Sequence, residues 1–172
     1  MKCTTLGLSV LLAAFAGSAL AQTPVSGTIK CPKEDTSQSV EVGDQAGHVL
    51  ILEKGSCSWN PSLEIAGLKS TGYTGADTFD LSGPRGQARG YAVITMENGD
   101  KVYARYQGTG GISKEGAFTG EGSWSFTGGT GKFKGLKGKG TYKSSREPNN
   151  GPEDAQLEGS YSLPEPSGAA KK

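Results

Sequence analysis

A single histidine, His48, stands in 172 residues, and no Gly-x-Ser-x-Gly elbow accompanies it. A Ser-His-Asp triad would have to use that one imidazole. It sits beside Gly47 at the start of a strand-like run, where a surface histidine is the plain reading. Gly-Lys-Ser/Thr is also missing, so there is no phosphate loop. The dinucleotide pattern fails too, because Lys134 stands where the third glycine of Gly129-Thr130-Gly131 would fall. No cofactor is expected. Charge of one sign is lacking as well. Without Lys2, eighteen basic residues become seventeen against seventeen acidic ones, a formal charge of zero. That balance provides no broad positive field, so no nucleic-acid partner is expected.

Long apolar runs are confined to the N-terminus. Met1-Lys2 precedes an uncharged stretch, Leu6 to Leu20, and Ala19-Leu20-Ala21 forms an A-x-A cleavage signal. About 15 apolar residues fall short of the roughly 20 that a membrane span needs. Residues 1–21 therefore read as a secretory signal peptide, and Cys3 lies on the wrong side of the apolar run for a lipid-anchor cysteine. The mature chain is expected in the periplasm or outside the cell, with no stable membrane insertion. Residues 22–163 read as one domain, and 164–172 as a polar, disordered tail.

With Cys3 removed, Cys31 and Cys57 remain. Two cysteines in an oxidising compartment have one pairing, so a disulfide closing a loop of about 26 residues is expected. A free thiol or a metal pair is the alternative. The metal pair wants four ligands, and one histidine cannot complete it, so no metal is expected.

What the chain has in abundance is glycine, 28 residues scattered between alternating runs. Val25 to Cys31, Ser39 to Val42 and the apolar His48 to Lys54 read as strands, and Leu63 to Leu68 as a strand or a helical turn. Pro32 to Gln38, Gly55 to Pro61 and Gly108 to Gly116 read as loops. Tyr73 to Leu81 alternates, with Tyr73, Gly75, Asp77 and Phe79 on one face. Arg89 to Gln107 is a hairpin turning at Glu97-Asn98-Gly99. A three-residue loop pairs Ile94 with Val102, Ala92 with Ala104 and Gly90 with Tyr106, and it gathers the apolar residues on one face. Phe118, Gly120, Gly122, Trp124 and Phe126 share a face; so do Gly138, Gly140 and Tyr142; so do Leu157, Gly159, Tyr161 and Leu163. Arg146 to Asp154 reads as a polar loop. Eight or nine short strands without a long helix, and glycines on the inward face, predict an all-β fold: one antiparallel barrel of about eight strands.

The run WSFTGGTGKFKGLKGKGTY from Trp124 to Tyr142 resembles a pattern in allene oxide cyclase-like barrels, in which a strand enters a glycine turn and returns through a glycine-spaced strand. Plant dirigent proteins look similar there, and the nearer likeness is to small exported bacterial members without assigned function. The resemblance implies an eight-stranded antiparallel barrel, and in the plant relatives often a trimer, so a homo-oligomer is an expectation here. It also implies a lumen that binds apolar or phenolic small molecules. It carries no catalytic residue onto this chain.

Candidate ligand-binding residues of the lumen are Tyr73, Phe79, Phe118, Trp124, Phe126 and Tyr142. Asp77 is the candidate acid–base group, since an apolar setting would raise its pKa. Three function classes follow. The first is a non-catalytic exported barrel that binds a small apolar or aromatic ligand or serves as an interaction module. The second is a cofactor-free cyclase or isomerase using Asp77 with Tyr73 or Tyr142. The third is an anionic-surface binder using Lys132, Lys134, Lys137, Lys139 and Lys143, whose simpler reading is a set of solvated lysines. Arg89, Tyr91, Tyr103 and Arg105 form a polar-aromatic patch suited to a subunit interface or to ordinary cross-strand pairing.

Overall fold

The computed structural model describes residues 22–149 and 151–164. The expected signal peptide, residues 1–21, and most of the expected tail lie outside the described residues. Ten strands form one sheet: β1 Thr23–Cys31, β2 Glu34–Glu41, β3 His48–Asn60, β4 Glu64–Ile65, β5 Leu68–Ser82, β6 Arg85–Met96, β7 Lys101–Ile112, β8 Phe118–Gly129, β9 Lys137–Arg146 and β10 Glu153–Ser162. Eight of them close on themselves in the order β3-β1-β10-β9-β8-β7-β6-β5, with β5 returning to β3. Every pairing is antiparallel. This is the expected barrel. β2 runs along the outside edge of β3, and the two-residue β4 pairs with β5.

The β6–β7 hairpin adopts the three-residue register, with Ile94 opposite Val102, Ala92 opposite Ala104 and Gly90 opposite Tyr106. Gly99 takes φ 84°, where a side chain would be strained. The even-numbered residues point inward, and Tyr91 and Val93 stay exposed outside.

The glycine-spaced strands have a packing reason. A Cβ at Gly140 would fall on the Glu158 carbonyl and the Trp124 indole, and one at Gly159 on the same indole. Phe126 lies across Gly138, Tyr142 across Gly108 and Gly122, and Phe118 across Gly110 and Gly120. These inward aromatics pack against glycines of their own or a neighbouring strand, which lets the wall curl tightly around the rings.

One end of the barrel is plugged. Leu63, Ile65, Met96, Val102, Phe133 and Leu136 are all buried there. Phe133 ends a 3-10 turn, Gly131–Phe133, between β8 and β9. Asp100 holds that turn against the β6–β7 hairpin: it accepts from the Thr130 hydroxyl at 3.2 Å and from the Lys132 amide at 3.3 Å. Thr130 Oγ1 in turn accepts from the Lys101 amide at 2.8 Å. The glycine motif of the sequence is therefore the hinge of an apolar plug. Burying each large side chain of that plug contributes about 1.5–3 kcal/mol.

Closure between β1 and β3 rests on three residue pairs, Thr28–Asn60, Ile29–Trp59 and Lys30–Ser58. The expected disulfide, Cys31–Cys57, sits at this seam.

Several boundaries differ from the sequence reading. Pro32 to Gln38 is mostly strand, because β2 borrows its pairing from β3. Cys57 and Trp59 lie in β3, not in a loop, since β1 and β5 continue the ladder beside them. β7 runs to Ile112, and β9 includes Arg146. Leu63 to Leu68 is a tight turn carrying β4.

Candidate functional site

Opposite the plug, the barrel holds a cavity of about 130 Å³. Tyr73 and Phe79 from β5, Phe118, Trp124 and Phe126 from β8, and Tyr142 from β9 all line it, together with Asp77. Period-two alternation places them there: each occupies the inward register of its strand. The rings meet edge to face or tilted. Phe79 and Phe118 have centroids 5.6 Å apart at 85°, and Trp124 and Phe126 lie 4.8 Å apart at 53°. Tyr106 and Tyr142 cross at 6.2 Å and 80°. Such geometries suit the quadrupoles of the rings. Both tryptophans of the chain, Trp59 and Trp124, face this space.

Asp77 lies on β5 opposite Glu53 of β3 and Gly90 of β6. Its Oδ2 accepts a hydrogen bond from the Tyr106 hydroxyl at 2.5 Å. Its Oδ1 is buried without a partner. Burial raises the Asp77 pKa to about 6, and the Tyr106 hydrogen bond works in the opposite direction. Burial also raises the phenols, Tyr142 to about 12 and Tyr73 and Tyr106 likewise upward, so all three stay neutral near pH 7. Trp59 also lacks a partner for its indole N–H.

At the rim, Arg146 gathers three carboxylates. Its guanidinium lies 2.8 Å from Glu34, 3.0 Å from Glu53 and 2.9 Å from Glu153. Glu153 is its cross-strand neighbour on β10, whereas Glu34 and Glu53 come from β2 and β3 across the seam. The same guanidinium stands 6.0 Å from the ring centres of both Phe79 and Phe118. The cluster thus ties the β9–β10 hairpin to β2 and β3 where the backbone ladder is shortest.

Sequence reasoning brought the six aromatics and Asp77 to one face, and the structure brings them to one cavity. It missed Tyr106, Arg146, Glu34, Glu53 and Glu153. Tyr106 shares parity with Val102 and Ala104, and that signal was present in the hairpin register. Arg146 shares parity with Tyr142, but Pro148 and the asparagines after it made the segment read as loop. The phenol on Asp77 is Tyr106, not Tyr73 or Tyr142.

The other candidates lie outside the lumen. Lys132, Lys134, Lys137, Lys139 and Lys143 are all exposed. His48 bridges Asp44 at 2.6 Å and Asp80 at 2.9 Å on the outer surface, and these hydrogen bonds raise its pKa. Tyr91 pairs with Arg105 and Val93 with Tyr103 on the outer face. No group of three or more metal-ligating side chains occurs among the described residues.

No family model matches the chain, and no curated protein matches it. Among solved structures, the chain is similar to a pterocarpan synthase dirigent protein, with a TM-score of 0.49 and 12% identity over 91% of this chain and 100% of that one.

Proposed function

We propose that this protein binds a small apolar or aromatic ligand in its barrel lumen, after export to the periplasm or the cell exterior. The observation that carries the reading is an aromatic-walled cavity on which all seven lumen candidates converge. Its size, about 130 Å³, is close to the roughly 150 Å³ that accommodates benzene in an apolar protein cavity. Export is supported by the A-x-A signal at Ala19-Leu20-Ala21 and by the disulfide.

The two tryptophans make the test direct. Titration with neutral ring compounds such as toluene or 2-phenylethanol is expected to change tryptophan fluorescence saturably. Ala104, small, buried and on the cavity wall, offers a blocking site. Ala104→Phe fills the space and weakens binding at least tenfold. A non-saturable response, or equal affinity in the folded Ala104→Phe variant, would rule the lumen out.

A second reading is a cofactor-free cyclase or isomerase. It is favoured by one observation, a buried carboxyl that accepts a hydrogen bond from a neutral phenol in an apolar cavity, where burial pushes its pKa up to about 6. That pair suits proton transfer. Turnover of a cyclisable or isomerisable apolar substrate, lost in Asp77→Asn with binding retained, distinguishes it from pure binding.

A further inference from the structure

Six formally charged side chains line the cavity: Lys33, Glu34, Glu53, Asp77, Arg146 and Glu153. Four are acidic and two basic, so the wall carries two more negative charges than positive ones. Arg146 pairs with the three glutamates at the rim, yet one guanidinium cannot neutralise three carboxylates, and Glu34 Oε2 is left buried without a partner. Asp77 stands deeper, one inward position beyond Phe79. Among the described residues no cation pairs with it directly, and Arg146 acts on it only through space; Tyr106 gives it one neutral hydrogen bond, and Oδ1 has none. A buried carboxylate oxygen left without a donor is unusual and costly. Phe79 and Phe118 already flank one organic cation, the Arg146 guanidinium. Aromatic faces attract cations electrostatically, and more so where water is excluded. Negative charge, ring faces and an unsatisfied acceptor are thus brought together in a partly enclosed space of single-ring size.

We propose that the lumen selects a small organic cation, an apolar or aromatic body bearing a protonated amine, with its ammonium donating to Asp77 Oδ1. This inference rests on the lumen-binding reading and names the ligand class of that site. Carboxylates of the same size would meet the acidic wall and be refused. Neutral alcohols would fit and offer Asp77 one donor without a charge.

Three probes of nearly equal shape separate the outcomes: 2-phenylethylamine, 2-phenylethanol and phenylacetate, titrated at pH 7.5 against the parent protein and Asp77→Asn. The expected order is amine, then alcohol, then carboxylate, with the amine on the order of tenfold tighter than the alcohol. In Asp77→Asn the amine loses that advantage, while toluene, which has no donor for Asp77, changes by less than about twofold and so reports an intact lumen. A carboxylate that binds as tightly as the amine overturns the inference and leaves lumen binding standing. So does an amine affinity unchanged by Asp77→Asn. Absence of binding by all three probes overturns both readings together.

Discussion

Tyr106 and Asp77 meet inside the barrel at 2.5 Å, and the bond engages only one of the two carboxylate oxygens. A phenol on β7 therefore holds a carboxyl on β5 across the intervening strand β6. That relationship fixes one oxygen of Asp77 and leaves the other buried without a partner. Burial raises its pKa from 3.8 to about 6, so the folded state holds the proton more tightly than the unfolded chain. Between those values the folded protein binds more protons, and stability falls as pH rises from about 4 to about 6. The loss is on the order of 2–3 kcal/mol. Asp77→Asn is expected to be more stable than the parent at pH 7.5, with the difference shrinking toward pH 4. Urea denaturation across that range measures it, and a difference independent of pH would contradict the assignment.

Among the described residues, Arg146 is the cation that pairs with Glu34, Glu53 and Glu153 at the seam. Replacing it with methionine keeps the stem and leaves three carboxylates clustered in partial burial. Breaking a buried ion network on one side costs about 3–5 kcal/mol. The expected result for Arg146→Met is a loss of that order in denaturant unfolding at neutral pH. Glu153→Gln, which leaves Glu34 and Glu53 on the guanidinium, should lose much less.

The glycines separate into those under rings and those that are not. Gly140→Ala puts a methyl against the Glu158 carbonyl and the Trp124 indole, with backbone on one side. A destabilisation of at least about 2 kcal/mol is expected, within the range of overpacking. Gly72→Ala is the control: its Cβ would meet only Thr95, at 3.9 Å. That change should be neutral or slightly stabilising. Equal effects at the two positions would remove the packing explanation.

The disulfide stands beside a three-pair ladder. Cys31→Ser with Cys57→Ser frees a loop whose closure is worth about 3–4 kcal/mol in the chain-entropy model. A lower melting temperature with an unchanged β-sheet circular dichroism spectrum is expected. An unchanged melting temperature would mean that Arg146 and the plug hold the seam alone.

His48 gives a proton signal that can be followed by itself. Hydrogen bonds that the ring N–H groups donate to Asp44 and then Asp80 raise its pKa above 6.5. The stabilisation from this raised value is fully present below 6.5 and is lost as pH rises through the folded-state pKa. An NMR titration should give a midpoint above 6.5, moved down in Asp80→Asn. A midpoint at or below 6.5 would contradict the bridge.

Much of this barrel was legible wherever one strand face is apolar and the other polar. The β6–β7 register followed from Asn98-Gly99 and a one-residue parity choice. The inward rings followed from alternation around Phe118 and Tyr142. Legibility failed where pairing alone makes the strand. β2 carries Thr36, Ser37, Gln38 and Ser39, mostly exposed, and has no buried face to announce it. β3 puts Leu50 and Leu52 outside and Glu53 inside, the reverse of what apolarity suggests, because Arg146 compensates the glutamate. Gly108, Gly110 and Gly111 read as loop because glycine marks turns, yet at Gly108 and Gly110 they make room for Tyr142 and Phe118. The ion cluster joins β2, β3, β9 and β10 over long sequence separations, and only the closed barrel brings its members together.

The central claim, that the lumen is the binding site, is most directly tested by amide chemical-shift mapping with 2-phenylethanol. The account predicts saturable shifts at lumen-lining Gly75, Ala104 and Gly120, with the outward-facing Gln107, Lys139 and Thr141 unmoved. Shifts confined to the outer residues, or no saturable shift at any amide, would contradict it.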